Sequence, residues 1–428
     1  MTPRFQGDVL VLYHHVLGAN AATIMEHVRS FEIYSKFKVC SLNTELGFPA
    51  GLHECDFRAV VLHYSLFGNP YQLNDSLCGF LKRTRGLKIA FFQDEYRYCL
   101  RRFAFLKEYH VDWVYTLLTP DHFDVYRARS PVKKVFYTLP GYVSDTLVSA
   151  GQALAGSADR RPVDVGYRGR QLPYSMGQGA QEKTAIAVGF LQRAANRGLR
   201  LDIAVEEVSR LYGGNWHRFL AGCRAVLGVE AGVSVFDIDD VVCGESERLL
   251  KGYPDLSFNE VWERVLKPWE NNIYYRMMSP RHFEAAALKT CQILFEGNYS
   301  GIMKPMVHYL PLKKDFSNLD SVLDMLADER QRSEVIENAY RDLIVSGTYS
   351  YRNFVKGFDE ELGKAGMDPR VSAEEGRKIA KLLARGHGCR VAIALARQER
   401  DRYLSTVYAL FRGCVNRLIR RPQGPRRV

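Results

Sequence analysis

The chain has 428 residues, of which 46% are hydrophobic and 25% are charged. A chain of this length can bury two domain-sized cores, and its composition is that of a globular protein rather than a disordered one. Its nine cysteines are an odd number and form no CxxC pair. This argues against a disulfide framework and a thiolate zinc site, and it favours a reducing compartment.

The positive charge is concentrated in the carboxyl-terminal tail. The formal net charge is +11, and residues 370–428, with 15 Lys/Arg against 4 Asp/Glu, account for all of it. Apolar side chains recur in this tail at helical spacing, namely Leu404, Val407, Tyr408, Phe411, Val415 and Leu418. Such a basic amphipathic helix is predicted to lie on an anionic membrane surface, and packing on the body is the alternative.

The sequence shows neither a signal-peptide core nor an apolar window of about 18 residues that could span a membrane. We therefore expect a cytoplasmic protein, peripheral at the inner face of the membrane if the tail binds there. The neutral body has no aromatic–basic repeat, so no nucleic-acid partner is expected. One competing hypothesis is that the protein is not an enzyme but a binding protein, whose tail holds nucleic acid or an anionic membrane.

The first half, residues 1–150, alternates β-rich runs with amphipathic segments such as Asn20–Tyr34. The predicted strands are Asp8–Tyr13, Phe37–Leu42, Arg58–His63, Lys88–Gln93, Asp112–Leu117 and Lys133–Thr138. Strands separated by helices indicate a doubly wound parallel sheet. His14, His63, Asp94 and Glu95 lie at or just after strand ends, where ligands bind in such sheets; roles as helix caps or solvated loop residues are the alternative.

A small, polar segment, Ser149–Pro162, predicts an interdomain linker. Residues 160–365 then form a second alternating half, with predicted strands Val163–Tyr167, Leu201–Val205, Arg224–Val229, Val233–Phe236 and Cys291–Phe295. Arg168, Arg170 and Lys183 lie in the glycine-rich loop after the first of these strands and at the start of the next helix. Cations near a helix amino terminus are a candidate seat for phosphates, although a cationic surface loop needs no ligand.

Asp237 and Asp239 form a DxD triplet after an apolar strand. Carboxylate oxygens on a turn suit Mg²⁺ or Mn²⁺. In one class of transferases, a DxD triplet binds the metal ion and the diphosphate of the substrate. A metal-dependent transferase that uses these two carboxylates is therefore a competing hypothesis within the enzyme class.

The stretch from Ser279 to Asn318 has the features of a ligand site. Ser279 can cap a helix that begins at Pro280, and Glu284 is the acidic side chain of that helix. A buried strand follows and ends in a loop that can present backbone amides to a ligand, formed by Asn298, Tyr299, Ser300 and Gly301. A helix, a strand and a tight turn without a ligand are the alternative.

Two alternating α/β halves, a linker and a Glu-bearing helix–strand–loop together resemble the GT-B glycosyltransferases, in particular the group-1 (family 4-like) enzymes of bacterial surface-polysaccharide pathways. The resemblance covers residues 8–362. It rests on layout in the first half, and on FEAAALKTCQILFEGNYSG and the YRGR…EK segment in the second. It implies two Rossmann-like domains facing a central cleft, a nucleotide-sugar donor, and no required metal or other cofactor.

The resemblance also assigns roles in the second domain. Glu284 stands at the family's Glu-Ala-x-Ala position and would hold the donor ribose, while Arg170 and Lys183 would neutralise the diphosphate. Arg168 and the loop Asn298–Gly301 complete the predicted donor site.

On the first domain, His14, Asp94 and Glu95 are the predicted acceptor contacts or proton-transfer groups. One position departs from the family: Arg276 stands where another glutamate is usual, and Glu230 or Glu270 could substitute. The sequence thus predicts transfer of a sugar from a nucleotide-sugar donor to a glycan or lipid-linked acceptor, in cell-surface polysaccharide biosynthesis.

Overall fold

The computed structural model describes residues 5–18, 22–154 and 161–419, with side chains up to Leu404. The first half forms a sheet of six parallel strands in the order β2-β1-β3-β4-β5-β6. The strands are β1 (Phe5–Tyr13), β2 (Val39–Asn43), β3 (Cys55–Leu62), β4 (Leu87–Phe91), β5 (Trp113–Thr116) and β6 (Lys134–Tyr137). The helices are α1 (Ala22–Tyr34), α2 (Asp75–Arg83), α3 (Cys99–Glu108), α4 (Asp124–Arg127) and α5 (Asp145–Leu154). Each strand overlaps a predicted one.

Both faces of this sheet are buried. On β1, Leu10 and Leu12 share one core with side chains of α2 and α3, while Val9 and Val11 share the opposite core with side chains of α1. All four side chains have no exposed surface. Because successive side chains point to opposite faces, a strand covered on both sides is a continuous apolar run.

The second half forms a five-stranded parallel sheet in the order β13-β12-β9-β7-β8, and a separate antiparallel pair of strands, β10 and β11. The strands are β7 (Val163–Arg168), β8 (Leu201–Ala204), β9 (Cys223–Gly228), β10 (Ala231–Val235), β11 (Glu270–Met277), β12 (Cys291–Phe295) and β13 (Leu310–Leu312). The helices of this half and of the tail are α6 (Gln178–Ala194), α7 (Gly213–Ala221), α8 (Val242–Gly252), α9 (Phe258–Val261), α10 (Pro280–Ala287), α11 (Leu319–Ala327), α12 (Glu329–Tyr340), α13 (Tyr351–Lys364), α14 (Ala373–Ala384) and α15 (His387–Ile419). The predicted fold class is confirmed: two Rossmann-like doubly wound domains are followed by a helical carboxyl-terminal region.

The last helix of the second half returns to the first domain. Helix α5 packs on the second domain, where Leu147 shares a core with Phe283 of α10, and α13 returns to the first sheet, where Val355 and Phe358 share a core with Val9. Two predicted boundaries are therefore corrected. The predicted linker starts inside α5, and the unit predicted over residues 160–365 gives its last helix to the first domain. Residues 155–160 of that linker lie outside the described residues.

The pair β10–β11 lies between the two domains. Val233 and Tyr275 pack into the core of the first domain, and β10 also packs against α6 of the second. Asp240, just beyond β10, accepts hydrogen bonds from the backbone N–H groups of Cys99 (2.8 Å) and Leu100 (3.0 Å) at the start of α3. This small sheet therefore joins the domains by apolar packing and by a helix cap.

The tail begins on the body of the protein. Helix α14 starts with a capping box between Ser372 and Glu375, and Ile379, Leu382 and Leu383 join the core of the first domain. Most of the apolar side chains predicted to contact a membrane lie outside the described residues: Val407, Tyr408, Phe411, Val415 and Leu418. Within the described ranges, no helix combines the length and the apolar character that crossing a membrane requires.

Two histidines are buried next to each other in the first domain. His63 Nε2 lies 3.0 Å from His27 Nδ1, and the backbone N–H of Ser65 donates to His63 Nδ1 at 3.1 Å. The proton of His63 is therefore on Nε2, from which it is donated to His27. Burial lowers the pKa of His27 to about 3, and burial together with His27 lowers the pKa of His63 well below its usual value.

We expect the free energy of unfolding to fall as the pH is lowered from about 7.5 to about 5.5. The unfolded chain protonates both histidines near pH 6.5, whereas the folded chain keeps them neutral. Their contribution is fully present above about pH 6.5 and decreases below it by up to about 1.4 kcal/mol per pH unit for each histidine. Urea titrations measure this slope. His27→Phe keeps an aromatic ring and should flatten it, and an unchanged slope would contradict the assignment.

Candidate functional site

A cleft of about 520 Å³ opens at the carboxyl edge of the second sheet. Strand β7 leads to β8 on one side while β9 lies on its other side, so the strand order reverses between β7 and β9. The ends of these two strands line the cleft, from Tyr167 to Arg170 and at Gly228 and Val229. The start of α10 forms a further wall. The cleft therefore lies at the topological switch point, where open α/β sheets bind ligands.

Among the described residues, five cations line the second-domain side of the cleft. Arg168 and Arg210 are paired with Asp202 and Glu207. The other three are Arg170, Lys183 and Arg281. The pKa of Lys183 is lowered to about 8, chiefly by burial and then by the charge of Arg281, while Asp94 of the first domain acts in the opposite direction. The nearby carboxylate of Glu182 is already paired with other cations. In the described part of the chain no carboxylate comes within ion-pairing distance of Lys183 or Arg170, so this wall carries excess positive charge.

Glu284 reaches the same cleft from α10. The helix starts at Pro280 after Ser279, as predicted, and Ser279 and Pro280 also line the cleft. The indole N–H of Trp216, on α7, donates to Glu284 Oε2 at 2.7 Å. Arg281 lies over the Trp216 ring, with its guanidinium carbon 4.7 Å from the centroid. The predicted grouping of Arg170, Lys183 and Glu284 is therefore present in one cleft, with Trp216 and Arg281 added to it.

The Arg168 guanidinium has a different position from the predicted one. It pairs with the Asp202 carboxylate at 2.8 Å, donates to the Asp202 carbonyl at 2.9 Å and lies over the Phe219 ring. Arg168 lies in the lining of the cleft, but its guanidinium is committed to these partners. These contacts hold β7, β8 and α7 together, so we do not retain the Arg168 side chain as a donor contact.

The predicted loop, Asn298–Gly301, is folded onto its own domain. Tyr299 is fully buried, and its backbone N–H donates to Glu230 at 2.8 Å. The Asn298 side chain accepts from the backbone N–H of Gly301, and Ser300 Oγ accepts from the backbone N–H of Met278 at 3.1 Å. Within the described ranges, none of these four residues lines the cleft. Their predicted donor contacts are replaced by contacts that support β12 and the strand before α10.

Glu95 is likewise corrected. Its carboxylate has no exposed surface and accepts hydrogen bonds from Thr116 Oγ1 (2.7 Å), the backbone N–H of Leu117 (2.8 Å) and the Tyr126 hydroxyl. A carboxylate held in this way inside the first domain cannot touch an acceptor. Asp94, in contrast, is exposed, and its negative charge acts to raise the pKa of Lys183, although the described lining of the cleft does not include it.

His14 lies beyond β1 at the switch point of the first sheet, between β1 and β3. Its backbone N–H donates to Ser65 Oγ at 2.9 Å, and its ring lies 3.9 Å from the Glu45 carboxylate. Burial lowers the pKa of His14, with Glu45 acting against it. The described cleft lining does not include His14, so its predicted contact with an acceptor remains a prediction.

Glu26 is a cleft residue that sequence reasoning missed. It lies on α1, half-buried, and Ser144 Oγ donates to its Oε1 at 2.9 Å. Its pKa is raised by burial, with Ser144 acting against this and Glu284 adding to it. An acid near the start of the first helix of a doubly wound domain is the sequence signal that could have suggested it.

Arg276 occupies the position of the missing family glutamate. It forms a two-point pair with Glu182, and its Nε lies 3.5 Å from Glu230. Glu270 accepts from the backbone N–H of Gln178 at the start of α6. Glu230 and Glu270 thus both interact with other residues of the protein. Neither appears in the described lining of the cleft.

Asp237 of the DxD triplet caps a helix. Both oxygens of Asp237 are occupied by the backbone N–H groups of Val241, Val242 and Cys243 at the start of α8, at 2.8–3.0 Å. Asp239 is exposed, and the next residue, Asp240, caps α3. In the ranges that the structure describes, no group of three or more His, Cys, Asp or Glu side chains could hold a metal ion. The oxygens of Asp237 thus have a structural role, in place of the metal binding that the competing transferase hypothesis assigned to them.

Alanine substitutions within this triplet should distinguish the helix-capping residue, Asp237, from the exposed residue, Asp239. Asp237→Ala removes a buried cap with three backbone partners and should lower the free energy of unfolding by about 1–3 kcal/mol. Asp239→Ala changes an exposed side chain and should stay within about 0.5 kcal/mol of the parent protein. Urea titration measures both, and the opposite ranking of the two variants would refute the capping role.

No protein-family model matches this sequence, and no curated protein matches it. Among solved structures the chain is similar to HepE from Anabaena in complex with UDP and glucose, at 9% identity and a TM-score of 0.45, over 84% of this chain and 100% of that one. It is also similar to an α-glucosyltransferase in complex with UDP-glucose and DNA containing an abasic site, at 9% identity and a TM-score of 0.48, over 83% and 99%. A third similar structure is sucrose-phosphate synthase from Thermosynechococcus elongatus, at 10% identity and a TM-score of 0.43, over 84% and 99%.

Proposed function

We propose that this protein is a glycosyltransferase that moves a sugar from a nucleotide-sugar donor to a glycan or lipid-linked acceptor, in the biosynthesis of a cell-surface polysaccharide. One observation carries the proposal: Arg170, Lys183 and Arg281 lie beside the half-buried Glu284 in a cleft at a topological switch point. A nucleotide sugar offers both complementary groups, since its diphosphate is an anion and its ribose has two hydroxyls that can donate to a carboxylate.

The same cations suit the chemistry of glycosyl transfer. When the bond between the sugar C1 and the diphosphate oxygen breaks, negative charge develops on the leaving nucleoside diphosphate. Cations already in place stabilise that charge most in a cleft with little water. Lys183, with a pKa of about 8, is predominantly protonated at neutral pH. The proposal therefore assigns charge stabilisation to side chains and gives the DxD carboxylates no part in it.

The acceptor side of the proposed site belongs to the first domain. The acceptor hydroxyl forms the new bond to C1 while the bond from C1 to the diphosphate oxygen breaks, and its proton is taken up by the leaving diphosphate. Asp94 is the predicted acceptor-side residue that is exposed and whose charge acts on Lys183. We therefore assign acceptor contact to Asp94 ahead of His14.

For the tail we infer contact with an anionic membrane surface, which would bring a lipid-linked acceptor to a cytoplasmic enzyme. The support comes from the described part of α15. Arg397 and Arg400 are exposed there, together with the apolar side chains of Ile393, Leu395 and Tyr403. Exposed apolar and basic side chains on one helix are the features that bind an anionic lipid interface.

Glu284→Ala should weaken nucleotide binding by about 1.5–3 kcal/mol, because it removes a hydrogen bond to a charged group. A thermal-shift panel of UDP, GDP, CMP and their sugars first identifies the nucleotide, and calorimetric titration then compares the variants. Glu337→Ala is the matched control, since that carboxylate pairs with Lys289 instead of lining the cleft. Unchanged affinity in Glu284→Ala would disprove the ribose role, and a parent protein that responds to no nucleotide would disprove the function.

The tail is tested by a chain that ends at Gly386. This end point retains α14, whose apolar side chains complete the first core, and removes α15. The full chain should float with liposomes that contain anionic lipid and should remain behind with neutral ones, whereas the shortened chain should remain behind with both. Equal flotation of the two chains would contradict the inference.

A further inference from the structure

Two carboxylates from different domains enter the same cleft. Glu26 comes from α1 of the first domain, and Glu284 comes from α10 of the second. Among the described residues, the first domain contributes Glu26 and Thr23 to the lining, and the other lining residues belong to the second domain. No Lys or Arg of the described ranges forms an ion pair with either carboxylate. Each domain thus presents one unneutralised acid to a shared space.

Each carboxylate is fixed through one of its two oxygens. Ser144 Oγ donates to Glu26 Oε1 at 2.9 Å, and Trp216 Nε1 donates to Glu284 Oε2 at 2.7 Å. Within the described part of the chain, Glu26 Oε2 and Glu284 Oε1 receive no hydrogen bond. The fixed oxygen sets the direction of each carboxylate, and the other oxygen stays able to accept from a ligand.

This pair of acids is unfavourable in the empty protein. Burial, with the negative charge of Glu284 in addition, raises the pKa of Glu26. Hydroxyl donors placed between the two carboxylates would satisfy both free oxygens. A cationic ligand would be repelled by Arg170, Lys183 and Arg281, which line the same cleft. These three cations attract an anionic ligand instead. The complementary ligand therefore combines an anionic group with two neighbouring hydroxyls.

We propose that Glu26 and Glu284 clamp the two ribose hydroxyls of the nucleotide donor, each accepting one hydrogen bond from its own domain. The proposal rests on the proposed function, and it adds a donor-binding residue in the domain expected to serve the acceptor. The donor then bridges the domains through its ribose, while its diphosphate remains on the cations of the second domain.

The test is a calorimetric titration of the full chain with UDP and GDP and with the 2′-deoxy and 3′-deoxy form of each. Glu26→Ala should weaken binding of the ribonucleotide about 10- to 100-fold, as expected for a lost hydrogen bond to a charged group. The deoxy nucleotide that lacks the hydroxyl held by Glu26 should bind Glu26→Ala and the parent with nearly equal affinity. Glu32→Ala, on the exposed side of the same helix, should leave all affinities unchanged.

Two results would overturn the clamp while the proposed function stands: ribonucleotide affinity that is unchanged in Glu26→Ala, or an equal loss for the ribonucleotide and for both deoxy forms. A parent protein that responds to no nucleotide of the thermal-shift panel would instead overturn the proposed function and the clamp together. If Glu26→Ala does not fold, Glu26→Gln keeps the shape of the side chain. It should show a smaller loss with the same dependence on one hydroxyl.

Discussion

The packing of the β10–β11 pair between the two domains is the constraint on which the rest of the structure depends. Tyr275 is fully buried in the first core, and its hydroxyl accepts from the backbone N–H of Glu95 at 3.4 Å. Asp240 caps α3 from the same small sheet. Because these contacts fix how the domains face each other, they also bring Glu26 into the same cleft as the cations of the second domain.

Charge in this protein is divided between pairs that support the fold and groups that stay unpaired. Glu182 neutralises Arg276 and Lys314, and Asp202 neutralises Arg168. Lys183 lies near the first of these networks without joining it. An ammonium that is half-buried and unneutralised is costly in the empty protein, and the diphosphate of the proposed donor would supply the missing counter-charge.

The sequence predicted the elements whose signals are local. Cys291–Phe295 was predicted to the residue, and the start of α10 at Pro280 was also predicted, because an apolar run and a Ser-Pro start are signals carried by neighbouring residues. Ser279 occupies the N-cap position, but its side chain makes no capping hydrogen bond. Strand β11 was missed since its partner is not adjacent in the chain and much of it is exposed. Glu26 was missed for a related reason: only the docking of two domains brings it to Glu284. Glu95 and Tyr299 were correctly placed at strand ends, but burial turned their polar groups inward.

The return of α13 to the first sheet has a consequence for recombination. The first domain contains a helix encoded after the second sheet, so no single cut in the gene separates two complete folding units. A chimera that replaced the donor-side domain would keep both cores filled only with two crossovers. One would precede Asp145, so that α5 travels with the sheet that it covers, and the other would follow Ser350, so that α13 stays with the first sheet.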